Sequence, residues 1–419
     1  VNVASMQAAL RRAATRVAAV GTDLAPPPVT GGVEGVARYW RDLDETARAS
    51  IVADHPEWIG GVDGIAAVAR DAANRNRIPA ERAVLQAQRD RLTRRLESSR
   101  LPAWWHQRIR KLFSSADENG WYVDQKLRDL EVIEKQITHE HLFLLLLDVR
   151  RAKRGLAAIA IGDPDAATHI SVTTPGLGST VSGSLDGMRR QAEELTKVCV
   201  AELRRAGDGR DRQVVANVAW LGYVPPNLTG PNRLSRLVGI GELGTSRVAV
   251  RAAPRLSEFY RGLRAAAGVD TPHIAAPHIT ALGHSYGSLV TSLALGRNGG
   301  ELVDDVVFYG SPGLSPTWSP QRFRQASDYG LADGHVYVMK GAQDRIAELG
   351  YFGGDPYDDR FVALSAAAGT SPDGRHREGA PRHADYPRTF GTGADETLRM
   401  SGYNFAVVIV GLPELAVRA

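Results

Sequence analysis

The chain of 419 residues holds a single cysteine, Cys199, so no disulfide can form within it. Cys199 falls in a helical pattern from Ala192 to Leu203 and reads as a small core residue, not a nucleophile. Long apolar runs are missing as well. The longest, Leu142 to Leu147 and Ala406 to Leu412, suit a strand or a core helix, so no transmembrane segment is expected. The first residues show no basic stretch followed by an apolar one, hence no visible signal peptide. The expectation is a soluble protein, cytoplasmic or exported without a visible signal peptide, and the start at Val1 leaves room for residues upstream. There is no internal repeat, and no low-complexity tract beyond Pro26-Pro27-Pro28. His139 and His141 flank Glu140 but lack further ligands at metal spacing, which argues against a metal site. The arginines come without a recognised nucleic-acid-binding motif, so nucleic acid is not an expected partner.

Hydrophobic residues make up 43% of the chain and charged ones 23%, ordinary values for a globular protein with a sizeable core. The length suits one large α/β domain with an appendage, or two domains. The net charge of +4 is unevenly spread, for residues 70–112 hold 12 Lys/Arg against 4 Asp/Glu. A solvated helix face laced with ion pairs explains this run, and contact with an anionic surface, lipid or polymer, is the sharper alternative. Oligomeric state has no signature.

Residues 1–24 form an amphipathic helix pattern that ends at Gly21 and the proline run. Helical spacing continues to about residue 140, broken at His55–Gly64, at Leu101-Pro102 and at Asn119-Gly120. The stripe of Leu127, Leu130, Ile133 and Ile137 is a buried helix face. At residue 141 the texture changes. His141–Val149 and Leu156–Gly162 read as an antiparallel hairpin. Strand patterns then recur at His169–Thr174, Val214–Leu221, His278–Leu282, Val306–Tyr309 and His335–Met339. Helical patterns over 184–205, 247–267 and 287–296 alternate with them, which predicts an α/β fold with a mostly parallel sheet and helices on both faces. The apolar segment Tyr403–Gly411 leans to helix. The expected division is an N-terminal helical region, 1–140, and a catalytic domain, 141–419.

The chemistry centres on Ile279–Leu282, an apolar strand running into Gly283-His284-Ser285-Tyr286-Gly287 and a helix opening near Ser288. This is the context of a nucleophile elbow, in which a serine sits on a tight turn and two glycines permit close backbone packing. Serine needs a base, and the base needs an orienting acid. In sheets with this elbow the acid follows a later strand and the histidine lies nearer the C-terminus. Asp344 stands just past the strand Val336–Met339 and is preferred over Asp355, Asp333 and Asp328. After Asp344 only His376 and His383 remain. His383, followed by Ala384-Asp385-Tyr386-Pro387, is the better-defined turn, whereas His376 sits in a polar patch. His284 is expected to pack or to hydrogen-bond locally. An oxyanion hole would use the N–H of Tyr286 and a second donor, Leu177 or Gly178, from the loop after His169–Thr174. Trp220, Tyr223 and Trp318, near strand ends, are candidates for an aromatic substrate pocket or for core. The Pro- and Gly-rich segment Val224–Ser246 has the character of a lid.

The set Thr174-Pro175-Gly176-Leu177-Gly178, Ala216–Tyr223, Gly283–Ser288 and Tyr309-Gly310-Ser311-Pro312-Gly313 resembles an actinobacterial α/β-hydrolase family catalogued as a domain of unknown function. The stretches Pro56–Gly64 and Arg70–Arg75 are similar to that family's N-terminal helical portion, and His383-Ala384-Asp385-Tyr386 to its His-x-x-Tyr. The resemblance implies the α/β-hydrolase fold and serine-hydrolase chemistry, with His383 as base, and no physiological substrate. The resulting expectation is a serine hydrolase acting on a small-molecule or lipid carboxylic ester, esterase- or lipase-like, with neither metal nor organic cofactor. Acyl transfer through the same acyl-enzyme, and a catalytically inactive binding protein on the same fold, stand as the alternatives.

Overall fold

The computed structural model of the protein describes residues 24–28, 30–97, 115–226, 245–267, 276–316, 318–319, 322–358, 360–393 and 396–419. The helix expected over residues 1–24 (all but Leu24), the Leu101-Pro102 break, the upper part of the basic segment and residues 227–244 of the lid-like segment lie outside them.

Among the described residues four helices come first: α1 (Gly32–Asp42), α2 (Glu45–Asp54), α3 (Ala67–Glu97) and α4 (Ser115–Gln136). The sheet strands follow as β1 (Leu142–Asp148), β2 (Leu156–Ile161), β3 (His169–Thr174), β4 (Val215–Leu221), β5 (His278–His284), β6 (Asp305–Tyr309), β7 (Val336–Met339) and β8 (Val362–Leu364). Between and after them lie α5 (Val181–Ala206), α6 (Arg247–Ala266), α7 (Tyr286–Leu295), the short α8 (Gly299–Leu302) and α9 (Met400–Ile409). The strand order is β1-β2-β4-β3-β5-β6-β7-β8, with β1/β2 and β2/β4 antiparallel and every other pair parallel.

Alternation along the central strands sends successive side chains to opposite faces. Ile279, Ala281, Val306 and Phe308 face the core built with α6 and α7, alongside Leu256, Phe259, Leu289 and Val290. Leu282, Val307, Tyr337 and Met339 face the other way, against Cys199 of α5 and Val407, Val408 and Ile409 of α9. Every residue of α9 is buried, so the segment that could be strand or helix is a core helix. Cys199 is fully buried, and burial pushes its thiol well up from the ordinary range, as for an inert core residue.

The N-terminal helices close one edge of this sheet. The Leu144 N–H of β1 donates to Asp71 Oδ1 at 2.8 Å, and its carbonyl accepts from Asn74 Nδ2 at 2.8 Å. Arg75 Nη2 donates to Leu142 O at 2.9 Å. Side chains of α3 thus take up edge-strand groups that would otherwise template pairing with another chain. Asp165, after β2, accepts from the N–H groups of Ala67 and Val68 at 2.9 and 3.1 Å and caps α3 in return.

One expected break differs from the structure. The break expected at Asn119-Gly120 is absent, for α4 runs through both residues from Ser115 to Gln136. The basic run is spent largely on ion pairs in its described part: Arg70 with Asp63 (3.0 Å), Arg75 with Asp71 (2.7 Å), Arg77 with Glu81 (3.1 Å), and Arg82 with Glu134. Among the described residues no helix is long and apolar enough to cross a membrane.

Candidate active site

The C-terminal ends of β3, β5, β6 and β7 lie side by side, and the loops leaving them converge. Ser285 sits between β5 and α7 with φ 54° and ψ −125°, a region that a residue with a Cβ adopts only under strain. Its N–H donates to Tyr309 O at 3.0 Å, and its carbonyl accepts from Ser288 N at 3.0 Å, with Ser288 Oγ 2.5 Å away. The turn is tight because its glycines are hemmed in. A Cβ on Gly287 would stand 2.3 Å from Thr174 O, and one on Gly283 would stand 2.8 Å from Ser288 Cα. Gly176, in the neighbouring loop, leaves room for the serine itself. A methyl there would lie 2.7 Å from Ser285 Cβ and 3.1 Å from Ser285 Oγ.

Three of the predicted side chains meet in one hydrogen-bonded row. His383 Nε2 is 2.8 Å from Ser285 Oγ, and His383 Nδ1 is 2.8 and 2.9 Å from the two carboxyl oxygens of Asp344. Asp344 is fully buried and Ser285 is 2% exposed. The Asp344 carboxylate also accepts from Tyr386 Oη at 2.6 Å and from the N–H groups of Ile346 and Ala347 at 3.1 Å each. Burial alone would raise this carboxyl. The hydrogen bonds from His383, Tyr386 and Ala347 outweigh it and hold the group below its ordinary value. The acid therefore stays ionised beside the imidazole. Tyr386 Oη in turn accepts from Gly341 N at 2.8 Å, which ties the acid's loop to the histidine's.

The alternatives lie elsewhere. His376 is exposed on a two-stranded ribbon, β9 (Gly369–Thr370) with β10 (His376–Arg377). Asp355 and Asp333 are exposed, and Asp328 accepts from the N–H groups of Arg324 and Gln325 at 2.8 and 3.1 Å. Of the two oxyanion alternatives in the β3 loop, Gly178 donates its N–H to Pro226 O at 3.2 Å, and Leu177 is exposed. Trp220 does not reach a pocket wall. It is 1% exposed, stacked on Tyr223 at 5.9 Å and packed near Phe259, so it offers a substrate no surface. Tyr223 is buried too, and its hydroxyl donates to Pro175 O at 2.5 Å, bracing the Gly176–Gly178 loop from behind. Trp318, by contrast, is 68% exposed, with its indole N–H held by Ser246 Oγ at 3.0 Å.

Sequence reasoning missed two supports. One is the Tyr386 hydroxyl, three residues after the histidine, which reads from sequence as an aromatic anchor of a turn. The other is Gly310, after β6, with φ 57°. A Cβ at Gly310 would approach Tyr386 at 3.0 Å, Asp344 Oδ2 at 3.1 Å and His383 Cε1 at 3.3 Å, so the row closes only over a glycine.

Comparisons with known proteins agree with this architecture. A family profile described as alpha/beta hydrolase matches residues 151–354. An uncharacterized protein of Mycobacterium tuberculosis (strain ATCC 25618 / H37Rv) is 37% identical over 260 residues, which are 60% of this chain and 88% of that protein. A second uncharacterized protein of the same strain is 30% identical over 366 residues, 83% of this chain and half of the relative's own length. Among solved structures, Est1E from Butyrivibrio proteoclasticus aligns over 50% of this chain and 85% of its own at 11% identity, with a TM-score of only 0.23. That likeness is too slight to bear on the chemistry. The profile match and the mycobacterial relatives place the chain plainly: it belongs to the α/β-hydrolase family.

Proposed function

We propose that the protein is a serine hydrolase that cleaves a carboxylic ester through an acyl-enzyme on Ser285. The observation that carries this reading is the continuous row Ser285 Oγ–His383 Nε2–Asp344, with 2.8 Å at each joint. Neutral His383 takes the serine proton at Nε2 as Oγ attacks the ester carbonyl, and ionised Asp344 stabilises the imidazolium through Nδ1–H. The carbonyl oxygen, now negative, is held by the backbone N–H groups of Tyr286 and Leu177, at the start of α7 and beside Gly176. The C–O bond to the alcohol then breaks, and His383 returns its proton to the leaving oxygen. Water, deprotonated by the same nitrogen, releases the acid and restores the serine.

The substrate class we propose is supported by what surrounds the site. Leu177, Trp318, Ile346, Leu349 and Tyr351 are among the few large hydrophobic side chains left exposed, and all stand on loops leaving β3, β6 or β7. Ile346 lies beside the Asp344 carboxylate, and Tyr351 packs on Phe352, which packs on Tyr286. An apolar margin of this kind suits an uncharged ester with an apolar acyl or alcohol part.

The test is a set of single substitutions assayed on one activated ester. Ser285→Ala should lower turnover by about 10⁴ or more, and His383→Ala nearly as much, because such residues act as a unit. His376→Ala should leave turnover within about twofold. An active Ser285→Ala variant ends the proposal. A dead His376→Ala variant beside an active His383→Ala one would replace the base.

A further inference from the structure

The histidine inside the elbow has no part in the steps just described, yet it touches the residue that does most of them. His284 closes β5, with its backbone opposite Tyr309 of β6. Its Nε2 lies 3.0 Å from the backbone carbonyl oxygen of His383. Its ring stacks on Tyr309 at 4.9 Å and 21°, and stands 4.9 Å from the His383 ring, tilted by 34°. Tyr386 meets it edge-on at 6.0 Å.

We infer that His284 is a positioning residue for the reaction assigned to Ser285, holding the His383 backbone so that Nε2 stays on the nucleophile. The inference rests on the reading that His383 is the base.

The argument begins with what a carbonyl can do. It only accepts, so His284 Nε2 must carry the proton, and Nδ1 of the neutral ring is then bare. The donor is also aimed, because the imidazole stacks on Tyr309 and lies against the His383 ring. The His383 turn needs such an anchor. Arg382 and Ala384, on either side, are exposed. The turn's own bonds run from Asp385 N to Arg382 O (3.0 Å), from Arg382 N to Asp385 Oδ2 (3.1 Å) and from Arg388 N to Asp385 O (3.0 Å), and none restrains the carbonyl of His383. The ring's two nitrogens are committed to Ser285 and Asp344, whose contacts must loosen and tighten as the proton moves. Fixing the backbone from a strand end leaves that motion to the ring alone. A displacement of about 1 Å at a reacting group costs roughly 10²-fold in rate, so the anchor is worth up to that factor.

The anchor must not carry charge of its own. The titratable groups facing His284 are His383, Asp344, Tyr309 and Tyr386. Burial, and then the neighbouring His383, push His284 down to about 4, while the His383 carbonyl and Asp344 pull the other way. Near neutral pH the ring is therefore an uncharged donor and does not oppose the imidazolium that forms on His383.

Two variants of the whole chain separate donor from packing. His284→Phe keeps a flat ring against Tyr309 and removes the N–H, whereas His284→Gln keeps an N–H donor and removes the ring. With an activated p-nitrophenyl ester, His284→Phe should lower kcat by about 10- to 100-fold with KM within about twofold, and His284→Gln should recover most of the loss. The fall in kcat should be the same at every pH, leaving the acid limb of the profile in place, since position and not charge is lost. Wild-type kcat in His284→Phe overturns the inference, and so does equal loss in both variants. If His284→Phe does not fold, His284→Leu against His284→Gln gives the same comparison. Ser285→Ala run alongside keeps the readings apart. If it is inactive while His284→Phe is fully active, only the positioning role falls, and if it is active, the serine reading falls first.

Discussion

Ser285 is held in a conformation it would not choose, and the strain is countered by neighbours that fit only because glycines stand at 176, 283, 287 and 310. The clearest test is Gly310, where a methyl group would meet both unfavourable φ and three members of the site. Gly310→Ala should cost about 1–3 kcal/mol of stability, read by denaturant titration, and lower kcat more than 10-fold. Tyr386→Phe removes a hydrogen bond to Asp344 and leaves the Gly341 N–H without its acceptor. That should destabilise by about 1–3 kcal/mol. It should also lessen the acid sensitivity of folding. Asp344 is depressed in the folded state, so its contribution is present above the unfolded carboxyl value of about 3.9 and is lost as pH falls through the folded one. Without Tyr386 Oη the depression shrinks, and thermal melts between about pH 5 and pH 2 should show a smaller drop for the variant than for the wild type.

Elements explain which parts of this arrangement could be read from sequence. The elbow is legible because an apolar strand, a Gly-x-Ser-x-Gly turn and an apolar helix occur in that order, each with its own local signal. Asp344 is legible because β7 announces itself and its loop begins at once. Other features depend on which face a strand turns to the core, and sequence carries no label for that. Trp220 belongs to an alternating strand whose Val218 and Trp220 point toward α6, which makes it core. The Gly178 N–H is taken by Pro226 O, some fifty residues on, a contact that no local pattern records. Asn119-Gly120 suggested a break, yet α4 runs through it, and α3 runs through Pro79 with tertiary contacts to β1 on its inner face. That face yields its own prediction. Asn74→Ala, which unpairs the Gly60 and Leu144 carbonyls, should cost about 1–3 kcal/mol in denaturant unfolding while kcat stays within about twofold.

At the scale of the molecule, one pole of the sheet carries the hydrogen-bonded row and its apolar margin, and one edge carries the helices that seal it. The residues at the pole come from five separate stretches of chain, between 174 and 386, and only the fold brings them together. The margin makes the substrate preference measurable. Across p-nitrophenyl esters of graded acyl length, kcat/KM should rise from acetate to medium chains, each buried methylene adding up to about 0.8 kcal/mol. Flat or falling specificity would count against an apolar acyl partner. The most direct test of the account is chemical. The full-length protein is treated with a fluorophosphonate probe, digested, and the modified residue located by mass spectrometry, with His383→Ala treated in parallel. The account predicts stoichiometric modification at Ser285 and strongly slowed labelling when His383 is replaced. An unmodified Ser285 in folded protein, or labelling that is as fast without His383, would contradict it.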